Sequence, residues 1–216
     1  MLTIERPQTS PPSDLEPRAG TPGIDPSAMI DLVSAVMDRI ECGVLACGPQ
    51  GELYYANNAA YRELAGTATL HLVDGHVCCT EKSQPGWARA VHAAAVRLRS
   101  SLVCLEGAGE RMMVALMPVH AGDDRPAAVA MMGRRAVCSP LGLEMLSNNH
   151  GLTFAERRVL RALIGNCTPR EIAASHGVTL ATIRSHILAV RDKLGVRSID
   201  ALLLRAAEVP PITARF

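Results

Sequence analysis

Aromatic side chains are scarce in this chain: one Trp, three Tyr and two Phe among 216 residues. So little ring surface leaves few platforms on which single-stranded nucleic acid could stack. No apolar run approaches the roughly 20 residues of a membrane span, and no basic stretch leading into an apolar one marks a secretory signal. A soluble, cytoplasmic protein without a membrane partner is therefore expected. Cysteine is present seven times, an odd number without a repeated spacing, which argues against a disulfide framework. Cys78 and Cys79 are adjacent, which suits neither a redox pair nor a zinc site, and no metal site is expected. A phosphate-cradling loop, a nucleophile elbow and a His-Glu-x-x-His helix are also missing, so the reading is not an enzyme.

What the chain does hold is concentrated in residues 168–195. Thr168, Pro169, Arg170 and Glu171 form a capping box with proline at the first helical position. Ile172 and Ala173 supply a short apolar side, and Gly177 is available for the left-handed conformation that reverses a chain. Thr179 then caps a second helix in which Ile183, Ile187, Val190 and Leu194 recur on one face. Gly195 closes it, just after Arg191 and Lys193, where cations suit the helix dipole. Two capped helices across a tight turn make a helix-turn-helix, whose second helix ordinarily enters a DNA major groove. The opposite face carries Thr182, Arg184, Ser185, Leu188 and Arg191; arginine reads guanine edges, and hydroxyls at helix starts meet phosphates. A solvated polar face is the bland alternative, and the surrounding turn and caps weigh against it.

Further helices flank the pair. Thr153 and Glu156 make a second capping box, followed by a stripe of Val159, Leu160, Leu163 and Ile164. Ser198 caps a last helix whose Leu202, Leu203 and Leu204 exceed what one small core needs. Core packing explains them as well as a dimerisation surface does, with Leu202 and Leu203 as its candidates.

In order and spacing this run resembles the LuxR-type (NarL-type) helix-turn-helix family. The matching residues are Leu152 to Leu160, Glu171-Ile172-Ala173, Thr182-Ile183-Arg184-Ser185-His186 and Lys193-Leu194-Gly195-Val196. The resemblance covers about 55 residues and implies that Arg184 and Ser185 read bases, with Thr179, Thr182 and Lys193 on phosphates. Thr168 and Arg191 join the expected phosphate set, and Leu188 joins the base-reading set through a thymine methyl. His186 is expected to support the fold. Leu188 and Ile199 depart from the family's usual polar or basic residues, which bears on the operator sequence. Double-stranded DNA is the expected partner, bound by a homodimer. The competing reading is a regulatory module whose helical domain binds RNA polymerase or another regulator, with DNA secondary.

Charge divides the chain in the same way. From residue 151 onward ten Arg or Lys face five Asp or Glu, a net +5; residues 1–150 carry a net −4. A basic module beside an acidic one is a footprint of nucleic-acid binding.

Residues 1–28 hold six of the fourteen prolines and little apolar content, and read as a disordered leader. Residues 29–135 read as an amphipathic helix, a hairpin over 43–56, a short helix capped by Asn57 or Asn58, a second hairpin about Asp74-Gly75, a helix over 87–98 and three strands. The phrases Gly43-Val44-Leu45, Gly51-Glu52-Leu53 and Ala56-Asn57-Asn58-Ala59-Ala60 are similar to the opening of a PAS domain; a profilin-like or GAF fold shares the element order. The family implies a ligand pocket or a dimerisation role. His71, His76, His92 and His120 are scattered, so no haem ligand stands out. The sequence demands no cofactor; a small-molecule effector among Met112, Met113, Met117, Met131 and Met132 and a filled core are both open. Two other front ends of the helix-turn-helix family are excluded. Lys82 is the only lysine before residue 151, which removes a phosphorelay receiver, and the dearth of aromatics removes a lactone-type pocket.

The expected fold class is α+β: an N-terminal PAS-like antiparallel sheet with short helices at 29–135, a linker at 136–150, an all-α four-helix domain at 151–208, and a tail at 209–216.

Overall fold

A computed structural model describes residues 25–66, 69–107, 110–121, 125–134 and 136–213. Most of the expected leader, residues 1–24, lies outside the described residues, but its end does not: Asp25 caps helix α1 (Pro26–Met37), with Pro26 at the first helical position.

The N-terminal unit is a five-stranded antiparallel sheet. Its strands are β1 (Val44–Cys47), β2 (Leu53–Ala56), β5 (Ser101–Gly107), β6 (Glu110–Ala121) and β7 (Arg125–Met132), ordered β2-β1-β7-β6-β5. The second hairpin, β3 (Leu70–Val73) and β4 (His76–Cys79), pairs separately around Asp74-Gly75. Both turn residues have positive φ, 49° and 79°, as a two-residue primed turn requires. Helices α2 (Asn58–Gly66) and α3 (Gln84–Ala95) complete the unit. The third helix therefore begins three residues before the sequence predicts and stops at Ala95.

Alternation along the strands aims Leu45, Cys47, Leu105, Val114, Leu116, Ala128, Ala130 and Met132 at one core with Trp87, Val91 and Ala94 of α3. Trp87 is 1% exposed, and its indole N–H donates to Val77 O at 3.0 Å, fastening α3 to the second hairpin.

Asn57, not Asn58, is the cap. Its buried Oδ1 accepts from Ala60 N at 2.9 Å and Val44 N at 3.0 Å. Its Nδ2 donates to Met37 O at 3.0 Å and Cys42 O at 3.1 Å. One side chain thus ties the end of α1, the start of β1 and the start of α2.

The C-terminal unit has the four expected helices, α5 (Phe154–Ile164), α6 (Pro169–His176), α7 (Leu180–Leu194) and α8 (Ile199–Ala207), and gains a fifth. Ten residues of the expected linker form α4 (Pro140–Asn149), whose Leu143 and Leu146 join the same core as Leu160, Ile172, Val190 and Leu202. Residues 136–150 are therefore not a free connector: a capped helix with two buried leucines is part of the bundle.

Candidate nucleic-acid interface

The interface is built on helix starts and stops that local chemistry fixes. Thr168 and Glu171 exchange side-chain to backbone bonds: Glu171 N donates to Thr168 Oγ1 at 3.3 Å and Thr168 N to Glu171 Oε2 at 2.7 Å. The Thr168 amide and hydroxyl together hold the Glu171 carboxyl below its ordinary value. Gly177 ends α6 at φ 66°, and Val178 N reaches back to Ala173 O at 3.1 Å. Only three residues separate α6 from α7. Thr179 caps α7 through Thr182 N at 3.1 Å, and its hydroxyl lies 2.9 Å from that of Thr182.

Ile183, Ile187, Val190 and Leu194 are all buried, so the stripe faces inward as expected. Arg184, Ser185 and Leu188 face solvent together, Leu188 being 53% exposed. Arg184 has no hydrogen-bond or ion-pair partner among the described residues, which leaves its guanidinium free to bind. Ser185 Oγ donates back to Ala181 O at 3.1 Å, leaving its lone pairs as acceptors.

The expected phosphate set divides. Thr168, Thr179 and Thr182 lie exposed at the two helix starts. Lys193 and Arg191 are held by the fold instead. Lys193 Nζ donates to Glu156 Oε2 at 2.7 Å and to Gly151 O at 3.0 Å, and Arg191 donates to Arg197 O. Burial would raise the Glu156 carboxyl, but hydrogen bonds from Lys193 and Thr153 outweigh it and hold the group below its ordinary range. Long-range pairing claims two of the three Lys193 donors.

Arg170, outside the expected set, is exposed on the first turn of α6 with no partner among the described residues. A cation beside the capping box was the available signal.

Leu202 corrects a second expectation. It is fully buried in the core beneath α8, and Leu203 is half-buried against the same core, so neither offers an open dimerisation face. The outward leucine of this helix is Leu204, 65% exposed.

In the N-terminal unit the space between sheet and helices is occupied by core side chains. Cys47 and Cys79 belong to that core. Burial, with Glu52 beside the first and Cys78 beside the second, pushes both thiols up to about 12, so neither offers a reactive thiolate. Open space lies elsewhere. An apolar groove of about 710 Å³ runs between α1 and the other sheet face, lined by Met29, Ile30, Val33, Val44, Val129 and Met131 among others. A smaller pocket of about 190 Å³ has Glu41, Arg62, Glu63 and Arg134 in its lining. Among the described residues no three His, Cys, Asp or Glu side chains gather as a metal site, and no helix is long and apolar enough to cross a membrane.

No protein-family model and no curated protein matches the chain. Among solved structures, VqmA of Vibrio cholera in a complex with ligand and DNA is similar over 84% of this chain and 90% of its own, at 17% identity and a TM-score of 0.39. A phage VqmA–DPO complex is similar over 86% and 93%, at 16% identity and 0.37. The PAS domain of nitrogen regulation protein NR(II) from Vibrio parahaemolyticus is similar over 48% of this chain and 97% of its own, at 13% identity and 0.31. Likenesses this loose assign no function, which has to be read from the chain's own residues.

Proposed function

We propose that the chain is a DNA-binding transcriptional regulator of the LuxR type, in which a PAS-like N-terminal unit modulates a helix-turn-helix. Helix α7 docks in the major groove with Arg184, Ser185 and Leu188 toward the base edges. Thr168, Thr179, Thr182 and Arg170 lie along phosphates. The observation that carries this reading is the free Arg184 guanidinium beside Ser185 and Leu188, on a helix fixed by a threonine cap at one end and a left-handed glycine at the other.

A homodimer completes the reader, since one recognition helix spans only half of a two-fold operator. The surface that suits a second copy is α1 with the outer sheet face. None of the α1 residues is buried, although Met29, Ile30, Leu32, Val33 and Val36 are apolar. The strand register sets Leu102 opposite Ala115, Ala115 opposite Met131 and Met131 opposite Val44, an uncharged row continuous with α1. Such a surface fits a copy of itself better than a charged partner.

The test is selection of bound duplexes from a random library, followed by fluorescence anisotropy at several salt concentrations. The wild-type chain is expected to enrich a two-fold sequence and to lose affinity steeply with salt. Arg184→Ala is expected to lose the preference while keeping its circular dichroism. Equal operator affinity in that variant overturns the assignment.

A second reading, a module that binds RNA polymerase or another regulator, is favoured by the exposure of Leu188 at the centre of the face. Weak, salt-insensitive DNA binding would support it.

A further inference from the structure

The chain beyond α8 does not trail away. Glu208 is the C-cap, and Val209, Pro210 and Pro211 follow, a sequence that cannot continue a helix and favours extended backbone. The next residues cross to the N-terminal unit. Ile212 bridges antiparallel to Ile40, Glu41 N donates to Pro211 O at 2.8 Å, and Thr213 N donates to Arg39 O at 2.9 Å. Pro211 lacks an amide hydrogen, and this pairing asks it only for its carbonyl.

A third attachment fixes the same segment to α4. Ser139, the N-cap of that helix, accepts from Gly142 N at 2.9 Å and donates from Oγ to Ile212 O at 2.7 Å. Gly142 lets the segment lie close, because a Cβ there would stand 2.9 Å from Val209 Cγ1.

The far side of the bridge is well placed to signal. Residues 39–41 join α1 to β1, next to the Asn57 knot that holds Met37 and Cys42. Glu41 also lines the smaller pocket with Arg62 and Arg134. At the near end, α8 packs on α7.

We propose that residues 209–213 form a strap that couples the N-terminal unit to the reading helix, by adding a short strand to residues 39–41. A change at the α1–β1 junction, whether from a ligand or from a second copy, then reaches α8 and α7 through this segment. The regulatory half of the proposal rests on the DNA-reading function above; the coupling half does not.

The register supplies the test. Ile40 and Ile212 are a non-hydrogen-bonded antiparallel pair, for which Cα atoms lie about 4.5 Å apart, inside the range a disulfide spans. The double variant Ile40→Cys with Ile212→Cys is expected to cross-link within one chain on oxidation, as seen by peptide mapping, whereas Ile40→Cys alone gives no such peptide. Absence of the cross-link overturns the pairing.

Coupling is read by urea unfolding of the full chain. The single tryptophan, Trp87, reports the N-terminal unit, while helical circular dichroism is dominated by the C-terminal one. The two transitions are expected to coincide in the wild type and to separate when residues 209–216 are removed or when Thr213→Pro deletes one bridge donor. Coincident transitions in both variants overturn the coupling. On duplex DNA, the oxidised double variant and the tail-free chain are expected to shift affinity in opposite directions, each by at least about threefold (about 0.65 kcal/mol). Unchanged affinity in both overturns the regulatory role. If no form binds duplex yet the transitions separate, the strap stands and the DNA-reading function falls.

Discussion

Lys193 Nζ lies 2.7 Å from Glu156 Oε2, joining the last turn of α7 to the first turn of α5 across 37 residues of sequence. Glu156 at the same time completes the capping box with Thr153. The Glu156 side chain is 8% exposed and that of Lys193 34%, so water screens the pair only partly.

Acid should therefore loosen the bundle through this pair. The Glu156 carboxyl is held below its ordinary value of 4.5 in the folded chain, so it contributes stability that is present above that value. That contribution is lost as pH falls through the lower folded value. Glu156→Gln should cost about 1–2 kcal/mol at pH 7 and flatten the pH dependence below about 4.5, as followed by urea unfolding. An unchanged slope would remove Glu156 from the account.

Charge alone should not replace Arg184. Arg184→Lys keeps the cation but not the two-pronged fork that matches a guanine edge. We expect discrimination between the selected operator and a scrambled duplex to fall by about tenfold, with binding to the scrambled duplex held within about twofold. Equal loss on both duplexes would make Arg184 a phosphate contact.

Arg170→Ala should act in the complementary way. Removal of one phosphate contact lowers the salt slope of log affinity by about 1 and weakens all sequences alike. Anisotropy titrations across salt measure the slope, and an unaltered slope would place Arg170 away from the DNA.

Asn57→Ala should destabilise the N-terminal unit by at least about 2 kcal/mol. It strips partners from two amides and two carbonyls, and Asn57 itself is fully buried. With the strap intact, Trp87 fluorescence and helical circular dichroism should register the loss together.

Disruption of the α1 face should separate the copies. Ile30→Asp combined with Val33→Asp sets charge on residues already 67% and 52% exposed, so the monomer fold is expected to survive. Light scattering coupled to gel filtration should read half the mass of the wild type; an undiminished mass would place the interface elsewhere.

The elements readable from sequence were those whose causes lie within a few residues. The Thr153 and Thr168 capping boxes, Gly177 and Gly195 in the left-handed region, and the Ile183-Ile187-Val190-Leu194 stripe all follow from neighbours one or two turns away. Residues 136–150 read as a linker because a helix with only two deeply buried leucines gives little periodicity. Leu202 and Leu204 read alike for a related reason: composition shows a surplus of leucine on α8, and only packing decides which one faces inward.

By itself, then, the sequence determined the helix pair, its caps, the free face of α7 and the two hairpins, because short-range hydrogen bonds and side-chain periodicity are local properties of the chain. Tertiary structure alone decided that Lys193 serves Glu156, that Asn57 rather than Asn58 is the knot, that α4 belongs to the bundle, and that Ile212 returns to Ile40. Each of these joins residues far apart in sequence, and such contacts form only after the backbone has closed the loops between them.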